Sequence, residues 1–107
     1  MVQHITYKRI KEIFESEEEV TILDVLSRES YLKEHLPTAI NIPLAELPQR
    51  ISELNKQKPI IVYCGSLSCM ASTRAAELLE KEGYTVWEYD GGLEDWIEHR
   101  LPVDGGS

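Results

Sequence analysis

The stretch Ile60–Leu79, IIVYCGSLSCMASTRAAELL, joins an apolar run to a helical pattern through a cysteine. The run Ile60–Tyr63 is β-branched and aromatic and is bounded by Pro59 and Gly65, which predicts a buried parallel strand. Ligands of open α/β sheets bind beyond the carboxyl ends of the strands, which is where this strand delivers Cys64. The stretch therefore predicts an α/β fold with a candidate functional cysteine at the edge of the sheet.

The loop Gly65–Met70 is small and polar, so its backbone N–H groups can curl toward the cysteine. The helix that follows points its positive end the same way, and helix N-termini lower the pKa of cysteine thiols. An anion at Cys64 would be stabilised in this setting. The local pattern leaves two interpretations open, because Cys64 is either a small buried residue at a strand end or a catalytic nucleophile.

The rest of the chain alternates strand patterns with helix patterns and shows no repeat or linker. The predicted strands are Val20–Val25, Ile60–Tyr63 and Thr85–Tyr89. A helix is predicted over Leu44–Leu54, in which Pro48 must lie in the first turn or break the helix. Further helices are predicted after Thr6, from Ser27 to about Glu34, from about Ala71 to Glu82 before Gly83, and around Leu93, Trp96 and Ile97. Those last three side chains are expected to face inward. Alternation of this kind predicts a parallel sheet that helices cover on both faces.

Length and composition predict one globular domain over residues 1–107. The chain is 42% apolar and 28% charged, which is typical of a sequence that folds alone. No apolar run approaches the roughly 20 residues that cross a bilayer, and the polar start Met1–His4 does not resemble a signal peptide. Two cysteines make no disulfide framework and suit a reducing compartment, so a cytoplasmic protein that does not bind membranes is expected.

The net charge of −8 argues against nucleic acid as a partner, because phosphates would be repelled. The local basic cluster, Lys8, Arg9 and Lys11, is predicted to be the solvated face of a helix. A metal site is not expected either. His4, His35 and His99 are scattered along the chain, and the two cysteines lack the short spacing of metal ligands.

Four pieces of the sequence, in order and over nearly the whole chain, resemble the rhodanese family of single-domain sulfurtransferases. They are Ile22–Val25 (ILDV), His35–Pro43 (HLPTAINIP), Val62–Cys64 with its loop and helix, and Asp90–Leu93 (DGGL) leading through Trp96 to Leu101–Val103. The second piece is close to the family signature His-Ile-Pro-Gly-Ala-Ile-Asn-Ile-Pro. The resemblance implies a rhodanese-like α/β fold with a central parallel sheet of about five strands and helices on both faces.

The resemblance also implies a reaction. Cys64 attacks a sulfane sulfur donor such as thiosulfate or a persulfide, holds the sulfur as a persulfide, and passes it to a thiol or to cyanide without a cofactor. The substrate-binding residues would be those of the loop, Gly65, Ser66, Leu67, Ser68, Cys69 and Met70. These residues offer backbone donors and hydroxyls and carry no negative charge, which suits a bound anion. A monomer with a small donor and a thiol acceptor, or an acceptor protein, is expected.

Three positions depart from the pattern of the family. Many members carry arginine or lysine directly after the cysteine and an arginine near the end of the loop, where this chain has Gly65 and Cys69 or Met70. Leu26 replaces an arginine that often follows the Asp-Val pair. The missing cations favour an alternative function, a noncatalytic or regulatory rhodanese-like module that binds a protein partner. Phosphatase or arsenate reductase chemistry is not expected, because the Cys-x5-Arg pattern needs an arginine where Met70 stands.

Cys69 has two interpretations. It either resolves an oxidised or persulfidated Cys64 into an internal disulfide, or is a small apolar residue under the loop. The two cysteines are five positions apart, and this spacing does not guarantee the Cα separation that a disulfide needs. The sequence therefore favours the packing role.

Overall fold

The computed structural model describes residues 2–105, which form a five-stranded parallel sheet with helices on both faces. The strands are β1 Gln3–His4, β2 Thr21–Asp24, β3 Glu34–His35, β4 Ile40–Asn41, β5 Ile60–Tyr63, β6 Val86–Tyr89 and β7 Asp104–Gly105. The helices are α1 Tyr7–Ser16, α2 Arg28–Lys33, α3 Leu47–Arg50, α4 Ala71–Lys81 and α5 Gly92–Glu98. The sheet order is β1-β6-β5-β2-β4, with every neighbouring pair parallel. This architecture confirms the predicted fold class.

Strand β5 lies in the middle of the sheet, and all four of its residues are completely buried. Its last residue, Tyr63, is in register with Asp24 of β2 and with Tyr89 of β6. The carboxyl ends of these three strands therefore meet at one edge, and Cys64 follows directly from the central strand. An apolar run without alternation is what a strand covered on both faces requires.

Two apolar clusters cover the faces of the sheet. The first includes Leu23, Val62 and Val86 from the strands, with Leu47 of α3 and Leu79 of α4. The second is formed by Ile10 and Ile13 of α1, Ile22, Leu36, Ala39, Ile61, Tyr63, Tyr89 and Trp96 of α5. Helices α3 and α4 therefore pack on one face and α1 and α5 on the other.

The predicted helix starts are confirmed by their caps. The Arg9 N–H donates to Thr6 Oγ1 (3.4 Å), and the Ser30 N–H donates to Ser27 Oγ (3.2 Å). In both caps the side-chain oxygen satisfies a donor that the first helical turn leaves free.

The predicted end of α4 is also observed. Gly83 adopts φ +92°, the left-handed conformation that glycine accepts without strain.

Two predictions about helices are wrong. The helix expected over Leu44–Leu54 is broken into a 3-10 turn at Leu44–Glu46, the short α3, and a second 3-10 turn at Ile51–Glu53. Pro48 lies in the first turn of α3, and because it has no N–H it cannot continue a helix from the preceding residues.

The second error concerns α5. Trp96 is buried and donates its Nε1–H to the Pro102 carbonyl oxygen (2.7 Å), whereas Ile97 is 41% exposed. Neighbouring positions on a helix are about 100° apart, so the inward direction of Trp96 turns Ile97 toward solvent.

Four short strands escape prediction from the sequence. Strand β4 lies in a segment for which the sequence predicts only a crossing between helices, and it pairs with β2. Strand β1 pairs with β6 through Gln3 and His4, whose polar residues show no strand pattern. Strands β3 and β7 form a separate antiparallel pair of two residues each. No helix between residues 2 and 105 has the length and apolar character needed to cross a membrane.

Candidate functional site

Cys64 lies at the carboxyl end of β5 and is almost completely buried. The Leu93 N–H donates to the Cys64 carbonyl oxygen (2.9 Å), and the Glu94 N–H donates to the Gly65 carbonyl oxygen (2.8 Å). Both donors belong to the first turn of α5, which would otherwise leave them without a partner. The start of the cysteine loop is therefore held by the N-terminus of α5.

Gly92 permits this close approach. Its φ is +65°, and a Cβ atom built on it would collide with the backbone of Cys64 and Gly65. Only glycine adopts such a conformation readily while leaving space for a second backbone.

The loop from Gly65 to Met70 connects β5 with α4 and turns back on itself. The Cys69 N–H donates to the Ser66 carbonyl oxygen (3.0 Å), and the hydroxyls of Ser66 and Ser68 are 3.1 Å apart. Leu67 and Met70 are 76% and 58% exposed. The structure thus gathers the predicted loop residues around the mouth of the site, with two apolar side chains directed to solvent.

The loop residues Gly65–Met70 carry no charge, as the sequence predicts, but a carboxylate of α5 lies beside them. Glu94 lines a shallow depression together with Ser66, Leu67 and Ser68. A larger groove of about 660 Å³ continues from Leu67 along Asp90, Asp95 and Glu98. The surroundings of the site are therefore acidic.

Cys64 and Cys69 form a disulfide. Their Cα atoms are 6.4 Å apart, within the range of about 4.4 to 6.8 Å found for disulfides. The geometric argument against a disulfide is therefore wrong, although Cys69 also packs against the first apolar cluster. The spacing alone could not reveal this, because the turn at Ser66 brings Cys69 back toward the strand.

Beneath the disulfide lies a hydrogen-bonded group of polar side chains. Cys64 Sγ is 3.3 Å from Ser72 Oγ and 3.5 Å from the Cys69 carbonyl oxygen. Ser72 Oγ–H donates to Glu88 Oε2 (2.8 Å), and Thr73 Oγ1–H donates to the same oxygen (2.7 Å). Ser72 and Glu88 are 1% and 4% exposed. Besides its bond to Cys69, the Cys64 sulfur has two hydrogen-bond contacts within residues 2–105, and both are to oxygen atoms, whereas the sequence predicts a cradle of N–H groups.

Sequence reasoning missed Glu88 as a neighbour of the cysteine. The one signal was a glutamate inside the otherwise apolar strand β6, in register with Val62 of β5. That register directs Glu88 toward the face that α4 covers, where the hydroxyls of Ser72 and Thr73 receive it.

On the opposite face, Asp24 and Tyr63 hold the backbone around the site. Tyr63 Oη–H donates to Asp24 Oδ2 (2.7 Å), and the Leu36 N–H donates to the Tyr63 oxygen (3.0 Å). The Leu26 N–H donates to Asp24 Oδ1 (2.8 Å). Burial raises the pKa of Asp24, while the Tyr63 and Leu26 donors oppose that rise. Burial, followed by the charge of Asp24, raises the pKa of Tyr63.

Two of the three positions that lack the family's cations, Gly65 and Leu26, are neighbours in space. A Cβ atom built on Gly65 would lie 3.8 Å from Leu26 Cδ2, so both positions belong to one apolar spot beside the cysteine. Arg74, the next cation along the chain, is exposed.

His4, Glu88 and Asp90 bring three metal-type ligand atoms within 4.8 Å of one another, a grouping that the sequence did not suggest. These atoms already take part in hydrogen bonds. His4 Nδ1 and Asp90 Oδ1 bind each other (2.7 Å), and Glu88 accepts from the hydroxyls of Ser72 and Thr73. The hydrogen bond to Asp90 also raises the pKa of His4. We interpret the grouping as a hydrogen-bonded cluster and assign no metal to it.

Comparison with known proteins agrees with this geometry. Residues 6–99 match the model of the rhodanese-like domain. The chain is 39% identical over 89 residues to the HTH-type transcriptional regulator Rv0324 of Mycobacterium tuberculosis, covering 83% of this chain and 39% of the regulator. The chain thus spans well under half of that relative.

A second relative is similar in length to this chain. Thiosulfate sulfurtransferase GlpE of Coxiella burnetii is 30% identical over 90 residues, which cover 83% of this chain and 82% of the relative. Among solved structures, the BH2092 protein of Bacillus halodurans superposes with a TM-score of 0.90 at 30% identity, covering 97% of this chain and 77% of that chain. The order of the strands, the cysteine loop at their carboxyl edge and these matches agree, and the chain belongs to the rhodanese-like domain family.

Proposed function

We propose that this protein is a sulfurtransferase that carries a sulfane sulfur on Cys64. The observation that carries the proposal is the position of Cys64, at the carboxyl end of the central strand and at the start of a loop that α5 holds in place. A relative of nearly the same length is named a thiosulfate sulfurtransferase. A cysteine in this position is a candidate nucleophile on chemical grounds as well.

The proposed reaction has two displacement steps. The Cys64 thiolate attacks the sulfane sulfur of the donor, a Cys64–sulfur bond forms, and the donor's sulfur–sulfur bond breaks as its leaving group departs with the electron pair. A thiolate acceptor then attacks the outer sulfur, and Cys64 leaves as a thiolate. The residues of the loop from Gly65 to Met70 would contact the donor and the acceptor.

The charge around the loop favours a persulfide donor over thiosulfate. Thiosulfate is a dianion, and the apolar spot of Gly65 and Leu26 provides no counter-charge for it. Glu94 at the rim adds repulsion. Exposed Leu67 and Met70 suit contact with the apolar surface of a thiol-bearing acceptor, whether a small molecule or a protein.

The disulfide suggests how a loaded sulfur could be released. The Cys69 thiolate attacks Cys64 Sγ of the persulfide, the disulfide forms, and the outer sulfur departs as hydrosulfide. A thiol reductant then restores both cysteines, which requires a reducing setting such as the cytoplasm.

A second candidate function is a regulatory module whose cysteine pair responds to oxidants or persulfides. The disulfide favours it, because the bond occupies the sulfur that would react. A transcriptional regulator among the relatives is consistent with such a role. In this function the loop would bind a protein partner in one of its two redox states.

Mass spectrometry of the reduced protein after exposure to sulfur donors tests the proposal. A singly charged donor, cysteine persulfide, should add one sulfur atom to Cys64. Cys64→Ser should abolish the addition because a serine hydroxyl stays protonated near neutral pH. Cys69→Ser is the matched control and should load sulfur. It should discharge that sulfur as hydrosulfide more slowly than the parent if Cys69 resolves the persulfide.

The two functions predict different outcomes. Sulfur transfer to an added thiol supports the sulfurtransferase. Reversible disulfide formation with no transfer of sulfur to any thiol would favour the regulatory module. Loading of Cys64→Ser would overturn the assignment of the nucleophile.

A further inference from the structure

The buried group of Cys64, Ser72 and Glu88 has a single direction of hydrogen bonding. The Ser72 hydroxyl proton is directed to Glu88 Oε2, so Ser72 presents an oxygen lone pair to Cys64 Sγ at 3.3 Å. In the disulfide the sulfur carries no proton. Reduction restores the Cys64 thiol. The thiol proton then faces Ser72 Oγ, which itself donates a hydrogen bond to the Glu88 carboxylate.

We propose that Ser72 and Glu88 form a proton-transfer path for Cys64. The inference rests on the proposed function, since it describes how the same cysteine becomes a nucleophile. As Cys64 attacks, its thiol proton passes to Ser72 Oγ while the original Ser72 hydroxyl proton passes to Glu88 Oε2. Ser72 remains a hydroxyl, Cys64 becomes a thiolate and Glu88 becomes a carboxylic acid. The reverse transfer reprotonates Cys64 when it leaves.

Charge conservation is the physical reason for such a path. Loss of the thiol proton to water would place a second anion two hydrogen bonds from the Glu88 carboxylate, and both groups are almost completely buried. Buried like charges disfavour each other strongly. Transfer to Glu88 keeps one negative charge in the site before and after the step.

The other groups that face Glu88 do not replace it as the acceptor. Thr73 of α4 donates to Glu88 Oε2 and has no hydrogen bond to the sulfur among the contacts of residues 2–105. His4 of β1 and Asp90, which follows β6, lie within 4.8 Å of its ligand atoms but are bonded to each other. Cys64 of the β5 edge reaches Glu88 through Ser72. Ser72 is therefore the catalytic residue of the path, and Glu88 acts through it as a positioning residue.

Alkylation of reduced Cys64 by iodoacetamide, followed from acidic to alkaline pH, tests the path. All variants carry Cys69→Ser, so that Cys64 is the only thiol. In this parent, we expect the logarithm of the rate to rise with pH by clearly less than one per unit below neutrality, because Glu88 accepts the thiol proton through Ser72. Glu88→Gln and Ser72→Ala should each restore a slope of one and lower the rate near neutral pH by about 100-fold, a usual contribution of general acid–base catalysis.

Thr73→Val is the matched control, because it removes the other hydroxyl on Glu88 and leaves the path to the sulfur intact. Its pH profile should follow the parent. A second readout is the solvent deuterium isotope effect. It should exceed one in the parent, where protons move during the attack, and disappear in Ser72→Ala.

Several results would overturn the path. A faster reaction of Glu88→Gln near neutral pH would mean that Glu88 merely repels the thiolate, and an unchanged profile of Ser72→Ala would remove Ser72 from the path. Near-ultraviolet circular dichroism checks that each variant is folded. If Glu88→Gln unfolds, Glu88→Asp replaces it. Because Glu88→Asp keeps a carboxylate, its rate should retain the shallow dependence on pH. Alkylation does not depend on sulfur loading, so a parent that never loads sulfur refutes the sulfurtransferase and not the path.

Discussion

Two buried carboxylates, Asp24 and Glu88, lie on opposite faces of the sheet near the end of β5. Asp24 accepts from the Tyr63 hydroxyl, and Glu88 accepts from the hydroxyls of Ser72 and Thr73. Buried carboxylates are costly unless they accept hydrogen bonds. The two groups have different partners, because Asp24 holds the Leu26 N–H and the Tyr63 hydroxyl, whereas Glu88 is linked to the Cys64 sulfur through Ser72.

Tyr63→Phe should lower the free energy of unfolding by about 2 kcal/mol near neutral pH, because it leaves the Leu36 N–H and Asp24 Oδ2 buried without their partner. The loss should depend on pH. The pKa of Asp24 is raised in the folded protein, so stability falls as pH rises from the ordinary value of about 3.9 to the native value. The Tyr63 donor opposes that rise, and its removal should deepen the fall.

Urea unfolding at acidic and at neutral pH measures this prediction. Tyr89→Phe serves as the control, because Tyr89 donates to Asp95, which is only partly buried and can be rehydrated. Tyr89→Phe should lower the free energy of unfolding by less than Tyr63→Phe does, and its loss should change little between the two pH values. An equal loss for Tyr63→Phe at both pH values would contradict the coupling to Asp24.

At the scale of elements, the sequence predicts units whose residues follow one another along the chain. It does not predict strands and contacts that depend on residues far apart in the sequence. The unit of β5, loop and α4 could be predicted because its apolar run, its cysteine and its helix follow one another. Strand β1 could not, since Gln3 and His4 become a strand only through pairing with β6. The contact of Ser72 with Glu88 spans 16 positions and depends on the register of β6 beside β5.

The junction of α5 with the cysteine loop allows a direct test of element packing. Gly92→Ala should destabilise the protein by about 3 kcal/mol or more, because its Cβ would collide with the Cys64 carbonyl group at a positive φ. Gly83→Ala is the matched control, since it has φ +92° and its nearest neighbour is Lys56 Nζ at 3.7 Å. It should cost only about 1 kcal/mol, the penalty of the backbone conformation.

Thermal and urea unfolding of both glycine variants provide the comparison. Amide hydrogen exchange should also show faster exchange of the Leu93 and Glu94 N–H groups in Gly92→Ala, because they bond the displaced loop. Equal losses of stability in the two variants would show that α5 does not press on the loop.

At the scale of the whole molecule, the proposed function predicts that charge selects among sulfur donors. The chain carries a net charge of −8, and four of its carboxylates line the groove beside the loop, against one lysine and one histidine. The carboxylates are Asp90, Glu94, Asp95 and Glu98, and the basic residues are Lys8 and His4. A potential of one sign steers opposite charges toward a site and slows like charges. The apolar spot of Gly65 and Leu26 cannot reverse this field.

The loading of Cys64 by thiosulfate should therefore accelerate as salt is added, because ions screen the repulsion of a dianion beyond a Debye length of about 10 Å at 0.1 M. Alkylation by the neutral reagent iodoacetamide is the control and should change little with salt. Gly65→Arg should raise the rate of thiosulfate loading and weaken its salt dependence, because it adds a cation next to Cys64. A Cβ atom at this position meets only Leu26 Cδ2, at 3.8 Å. Gly65→Gln adds length without charge and should do neither. Stopped-flow mixing followed by mass spectrometry measures the rate of thiosulfate loading in the native protein and in the two Gly65 variants, and the rate of alkylation by iodoacetamide. If the rate of thiosulfate loading in the native protein fell as salt was added, a local positive field would govern the site despite the net charge.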